Sequence, residues 1–170
     1  MKEISFRNDI LPHKDKLFRL AFRITLNRAE AEDIVQDTLI KVWEQRESLA
    51  EVKSIEAYCM TICRNHALDR SEKKENQNIG LDEQLHDVGD SYSTPSESLI
   101  NRESLELVER MINNLPERQR TIMQLRDIEE KSYKEIAIIL GITEEQVKVN
   151  LFRARQRIKE RFSEIQKYGL

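Results

Sequence analysis

Glycine and proline are scarce, four and three in 170 residues. So few turn and break points suit a soluble, mostly helical protein. No stretch shows the strict alternation or the β-branched density of a strand, which argues against a sheet-based fold. No apolar run approaches the roughly 20 residues that cross a bilayer. The opening MKEISFRNDILPHKDK lacks the long apolar core of a signal peptide. The expectation is a cytoplasmic protein with no membrane insertion of its own. Cysteine is limited to Cys59 and Cys63, with His66 three residues further on. On a helix these three share a face and form a conceivable metal or redox group. Their spacing is not C-x-x-C, no fourth ligand is evident, and two cysteines in an apolar stripe are more often core. A disulfide is not expected in that compartment. Also missing are a Gly-rich phosphate loop, a Ser-His-Asp set and an H-E-x-x-H motif. The carboxylates of Glu30, Asp33 and Asp37 therefore have nothing converging on them, and neither an enzyme nor a cofactor is expected.

The net charge of −3 looks wrong for a nucleic-acid binder, but its distribution removes the objection. Residues 1–75 carry 14 basic and 14 acidic side chains, residues 76–100 none and 5, and residues 101–170 carry 14 and 12. The acidic excess lies in the middle, so total charge is a poor guide to the binding faces.

Apolar residues recur with a helical period almost everywhere else. Leu17, Phe18, Ala21, Phe22 and Ile24 mark one helix, after which Asn27 opens a turn. Ala31, Ile34, Val35, Thr38, Leu39, Val42 and Trp43 mark the next. Ile55, Tyr58, Cys59, Ile62, Ala67 and Leu68 mark a third, running into SEKKE. From about Asn76 to Ser96 the pattern fails amid Gly80, Gly89, Pro95 and an acidic bias, as in a tether. Thr94, Pro95 and Glu97 then restart a helix with a capping box. Leu99, Leu105, Leu107, Val108, Met111 and Ile112 follow, and Leu115-Pro116 breaks it before Ile122, Met123 and Leu125. The expected architecture is all-α, with helical domains at 1–75 and 97–165 joined by a flexible acidic linker at 76–96.

The richest segment is Ser132 to Arg161. Ser132 with Glu135 and Thr143 with Gln146 form two capping boxes about ten residues apart. Gly141 between them tolerates positive φ. Ile136, Ala137, Leu140, Ile142, Val147 and Leu151 fall where two crossed helices face each other. This is a helix-turn-helix, a unit that usually lays its second helix in the DNA major groove. Beyond it, Lys148, Arg153, Arg155, Arg157, Lys159 and Arg161 face a single acid, Glu160, up to Phe162. Such cations neutralise phosphates and displace counterions.

In this order the segments resemble an RNA polymerase sigma factor of the sigma-70 family, in its small extracytoplasmic-function group. AEAEDIVQDTLIKVWEQR (29–46) resembles the first helix of the sigma-2 domain. SIEAYCMTICRNHALDRSEKKE (54–75) resembles the helix of that domain that meets the promoter's minus-ten element. LPERQRTIMQLRDIEEKSYKEIAIILGITEEQVKVNLFRARQRI (115–158) resembles the sigma-4 domain, which reads the minus-thirty-five element. The resemblance implies a protein that binds RNA polymerase core and directs promoter-specific transcription initiation. Implied partners are the β′ clamp helices and β flap of that core, promoter DNA, and a membrane-anchored anti-sigma factor. By position, Glu32, Asp33, Gln36 and Asp37 match the clamp-helix contacts, and their spacing puts them on one exposed flank. Lys53, Arg64, Asn65, Arg70, Lys73 and Lys74 would serve the minus-ten strand. The loop at 48–54, with Glu51 and Lys53, would pocket a flipped base. Lys148, Val149, Asn150 and Arg153 would face the upstream groove, and Arg155 and Arg157 its phosphates. Many relatives carry a small polar and a basic residue where Val149 and Asn150 stand. Glu144 and Glu145 rank lower as cytosine readers, since anions favour a helix start anyway. Arg118 and Arg120 are phosphate candidates or partners of Glu117. Trp43 and Tyr58 are expected to pack rather than stack on bases. The linker acids Asp82, Glu83, Asp87 and Asp90 would occupy a basic channel of the polymerase.

The rival reading is a ligand-sensing regulator that binds palindromic DNA as a dimer. It lacks a heptad seam and gives the acidic block at 29–46 no role.

Overall fold

The computed structural model describes residues 3–77 and 99–168, and they are helical with no strand among them. The helices are α1 (Lys14–Thr25), α2 (Arg28–Glu44), α3 (Ile55–Gln77), α4 (Leu99–Asn113), α5 (Glu117–Met123), α6 (Tyr133–Leu140) and α7 (Glu144–Tyr168). A π-helical turn at Phe6–Ile10 and a 3-10 turn at Leu11–His13 lead into α1. A 3-10 segment at Arg46–Glu51 links α2 to α3, and a π-helical turn at Gln124–Ile128 follows α5. The capping box at Thr94–Glu97 and most of the acidic linker lie outside the described residues.

Local chemistry explains the boundaries. α1 ends at Leu26, which takes φ 55° and donates its N–H to the Phe22 carbonyl. Asn27 then caps α2 by accepting from the Glu30 N–H at 3.0 Å. Ser132 accepts from the Glu135 N–H at 3.1 Å and starts α6. Gly141, at φ 66°, closes α6 with its N–H on the Ala137 carbonyl. A Cβ there would touch nothing within 4 Å, so glycine is required by backbone angle and not by space. Thr143 and Gln146 exchange both bonds of their capping box, at 3.0 and 2.9 Å.

α1, α2 and α3 pack on one another, while α5 and α6 each pack on α7 and on the turn at Gln124–Ile128. The two groups also touch: α1 lies against α5, and α3 crosses α6. One continuous apolar cluster joins Leu17, Leu20, Ile34 and Met60 to Ile122, Leu125, Ile136 and Leu151. A smaller cluster of Ile112, Leu115, Met123 and Ala154 seats α4 on α5 and α7.

Two expectations of packing need correction. Trp43 stays 36% exposed; it meets Phe6 edge-on at 5.7 Å and carries the Arg46 guanidinium 4.3 Å above its ring. It closes the edge of the bundle instead of filling its centre. Leu105 is exposed, because the cluster that holds α4 begins one turn later, at Val108. Tyr58 packs as expected, half-buried, with its hydroxyl donating to Gln45 Oε1 at 2.6 Å.

Cys59 and Cys63 are fully buried, and burial pushes both thiols up to about 12. The Cys63 thiol donates to the Leu17 carbonyl at 3.4 Å. Among the described residues no set of three His, Cys, Asp or Glu side chains is placed to hold a metal. The cysteines are core residues, and as thiols they are poor nucleophiles and ligands.

Two predictions follow from these local features. In the native protein at pH 8, both thiols should resist a disulfide exchange reagent and become reactive only in denaturant. Rapid labelling of either in the folded state would contradict their burial. Glu130 is exposed at φ 58°, where a side-chain-bearing residue costs about 1–2 kcal/mol. Glu130→Gly should raise stability by up to about 1 kcal/mol, the remainder being lost to glycine's greater unfolded freedom. That is about 2–4 °C in a thermal melt, and an unchanged midpoint would show the backbone there to be unstrained.

Candidate nucleic-acid and protein interfaces

The acidic flank forms because α2 buries Ala31, Ile34, Val35, Thr38, Leu39 and Val42 against α1 and α3. Glu32, Asp33 and Gln36 point to solvent and Asp37 is half-exposed beside them. The structure adds contacts that spacing did not disclose. Arg70, on α3, donates to Asp33 Oδ2 and to Asp37 Oδ2, each at 2.8 Å. Lys74 pairs with Glu30 at 2.9 Å. Two sets of candidates that sequence kept apart, acids on α2 and cations on α3, thus form one surface network. The hydrogen bond to Asp33 raises the Arg70 pKa above its ordinary value. The pairs are partly exposed at the surface, where ion pairs are worth little individually, so a competing cation can displace Arg70 at small cost.

Along α3 the remaining cations differ in setting. Lys73 and Asn65 are exposed, and Lys53 is exposed in the turn after the 3-10 segment that buried Leu49 anchors. Arg64 is half-buried, and burial lowers its pKa from the ordinary value, with Glu117 opposing and Arg118 adding to the effect. Its Nη1 reaches Asn65 Oδ1 at 3.4 Å, while its Nε is buried without a hydrogen-bond acceptor.

On α7, Val147, Leu151 and Ala154 face inward. That orients Glu144, Glu145, Lys148, Val149, Phe152 and Arg153 to solvent. Lys148 lies 5.5 Å from the Tyr133 ring, which also carries Arg126 at 4.4 Å. Asn150 turns its amide back to the Gln146 carbonyl at 2.8 Å. Arg155 is engaged with Asp127 by two hydrogen bonds, which raise its pKa above the ordinary value. Arg157 lines a shallow groove with Met111, Asn114, Leu115, Ile158 and Arg161. Arg118 is exposed.

Arg120 requires a correction. Its guanidinium donates to the carbonyls of Arg23 at 2.7 Å, Ile24 at 2.8 Å and Leu115 at 2.9 Å. It is neither turned to phosphate nor paired with Glu117. Burial pulls its pKa below the ordinary value. Sequence offered no sign of this, because its acceptors are backbone atoms, two of them almost a hundred residues away.

Sequence reasoning also passed over two apolar side chains on these faces. Phe152 is 68% exposed between Lys148 and Arg153, one step off the Val147–Leu151 stripe. Ile40 is exposed one turn beyond Gln36 and Asp37, off the Leu39–Val42 stripe. In both cases the signal was an apolar residue out of phase with its helix.

Comparison with known proteins places this geometry. The family model for Sigma-70 region 2 matches residues 10–77, and that for Sigma-70 region 4 matches residues 105–158. The chain is 27% identical to the ECF RNA polymerase sigma factor SigW of Bacillus subtilis, over 90% of this chain and 86% of that one. It is 28% identical to the ECF RNA polymerase sigma-E factor of Haemophilus influenzae, over 80% of this chain and 76% of that one. Among solved structures, the sigma factor RpoE in complex with the anti-sigma factor NepR, from Bartonella quintana, matches with a TM-score of 0.76. The identity is 26%, covering 91% of this chain and 94% of RpoE. Both matched regions fall on the helices that carry the acidic flank, the α3 cations and the helix-turn-helix, and the chain belongs to the sigma-70 family of RNA polymerase sigma factors, in its extracytoplasmic-function group.

Proposed function

We propose a division of labour in which residues 1–75 dock on RNA polymerase core and hold the minus-ten element, while residues 97–165 read the minus-thirty-five element. A sigma factor directs promoter-specific initiation and catalyses nothing itself. Its task is differential binding. Contacts made only to the opened strand offset the cost of unpairing and populate the melted state. The observation that carries the residue-level reading is the outward presentation of two opposite chemistries, carboxylates on α2 and cations with an exposed aromatic on α7.

In this reading Glu32, Asp33, Gln36 and Asp37 meet basic groups on the β′ clamp helices, with Ile40 adding apolar contact beside them. A clamp cation that takes Asp33 and Asp37 frees Arg70, and one that takes Glu30 frees Lys74. Docking on core thereby turns α3 cations toward the promoter strand, joining Lys53, Arg64, Asn65 and Lys73. On α7, Lys148 and Arg153 serve guanine or phosphate, and Val149 with Phe152 serve thymine methyl groups. Asn150 must break its bond to Gln146 before it can pair with adenine. Arg155 and Arg157 serve backbone phosphate, Arg155 by exchanging Asp127 for it. The β flap is the expected core contact of the C-terminal helices.

No helix among the described residues is long and apolar enough to cross a membrane, and we place the protein in the cytoplasm with its polymerase. An anti-sigma factor, as in the RpoE–NepR complex, is the proposed regulatory partner.

In vitro transcription with core polymerase across a promoter library tests the whole assignment, since it needs docking, melting and both elements together. In that assay Arg153→Ala should lower use of promoters that depend on the upstream element by about tenfold, the scale of one lost base or phosphate contact. Core association should be unchanged, and loss of polymerase binding would place α7 wrongly. Asp33→Arg combined with Asp37→Arg should reduce recovery of core polymerase in co-purification, with helical content intact by circular dichroism. Undiminished recovery would remove the acidic flank from the docking surface.

A further inference from the structure

The turn between α2 and α3 carries more polar structure than its packing explains. Of residues 46–54 only Leu49 is buried, at 2% exposure, while Glu47, Ser48, Ala50, Glu51 and Lys53 face solvent. Arg46–Glu51 is six residues of 3-10 helix, and runs beyond three or four are uncommon because their hydrogen bonds are poorly aligned. One apolar anchor and a weak helix do not by themselves fix where Glu51 and Lys53 stand.

Side chains fix the root of the turn instead. On the α2 side, Arg46 lays its guanidinium 4.3 Å above the Trp43 ring and donates from Nη1 to the Trp43 carbonyl at 3.0 Å. Phe6 holds that ring edge-on at 5.7 Å. Gln45 ends α2 with its N–H on the Lys41 carbonyl at 3.1 Å, and its own carbonyl accepts the Ser48 N–H at 2.9 Å. On the α3 side, Ser54 caps the helix by accepting from the Ala57 N–H at 3.1 Å. A side-chain bridge joins the two sides: the Tyr58 hydroxyl donates to Gln45 Oε1 at 2.6 Å. It closes the mouth of the turn, tying the last residue before it to one a turn inside α3. The Tyr58 ring packs against the core, so its oxygen is held by a body that does not swing.

A hydrogen bond at the surface adds little to global stability. What this one supplies is position. A base lifted from its stack is read on its Watson–Crick edge by polar groups, and such groups discriminate only while held within about 0.5 Å of the productive geometry. We propose that Tyr58 and Gln45 are positioning residues for base selection: their hydrogen bond sets the mouth of the turn, and thereby the placement of Glu51 and Lys53 on a captured base. The proposal rests on the sigma-factor reading above, which gives residues 48–54 a base turned out of the minus-ten strand. Neither Tyr58 nor Gln45 touches that base.

The test is in vitro transcription by core polymerase with the full chain, on promoters varied at each minus-ten and minus-thirty-five position in turn. Tyr58→Phe removes only the oxygen and keeps the packed ring. It should lower the preference for the favoured base at one minus-ten position by about threefold to tenfold, the weight of one net hydrogen bond. Preferences at the upstream element and recovery of core polymerase should match wild type. Gln45→Ala should have the same effect, and the double variant no more than either alone. Gln45→Glu keeps an acceptor for the hydroxyl and should retain the wild-type preference. In the free protein, the Ser48 and Val52 amides, bonded within the turn at 2.9 and 3.2 Å, should exchange faster in Tyr58→Phe by a similar factor. Unchanged base preference in Tyr58→Phe would overturn the proposal. So would an equal loss at every promoter position, which marks a tie that is only structural. Wild type that fails to initiate would sink the sigma-factor reading and the base-selecting role with it. The exchange measurement needs no polymerase, and unchanged rates there would show that the bond does not place the turn.

Discussion

A guanidinium taken out of water must find acceptors for its donors, and that demand organises the centre of this protein. Arg23, buried, and Arg120, half-buried, meet where α1 ends, and together they use side chains of α4 and the turn after α5 and backbone carbonyls of α1 and Leu115. The acceptors are spread over α1, α4, Leu115 and the turn after α5, so satisfying the pair fixes the relation of α1 to α4 and α5. The apolar cluster then fills in around them, continuous from Leu17 to Leu151. Apolar contact alone would tolerate sliding, whereas directional bonds to named oxygens do not.

The surfaces follow from what this arrangement leaves outside. α2 turns its apolar stripe to α1 and α3, which leaves its carboxylates for water or a partner. α3 lies alongside and supplies Arg70 and Lys74 to those carboxylates. α7 buries one narrow stripe and exposes the rest, including Phe152. In the proposed reading the opposing charges of this family's two tasks, protein docking and nucleic-acid binding, are kept apart on α2 and α7 but made to meet between α2 and α3. A meeting of that kind lets occupancy of one task alter the other through ordinary electrostatic competition.

Much of this was legible beforehand because it depends on near neighbours. The two capping boxes, the left-handed Gly141 and the apolar periods of α2 and α7 are set by residues three or four apart. The acidic flank was legible for the same reason. Trp43 was misread because helical phase says which way a side chain points, but not whether anything lies there to cover it. Leu105 was misread in the same way. Arg120 looked like a phosphate ligand since cations near a helix start usually face solvent, and its real acceptors carry no sequence signature.

What the chain determined by itself was therefore the inventory of helices, their ends, their buried stripes and the sign of charge on each exposed face. These depend on interactions across one or two helical turns, where sequence distance and spatial distance agree. Tertiary structure alone decided that Arg70 meets Asp33 and Asp37, that Arg23 reaches Glu109 and Gln124, and that one apolar cluster spans both halves. Those pairings join residues 33 to 101 positions apart, and only the closing of the chain on itself selects which distant donor finds which acceptor.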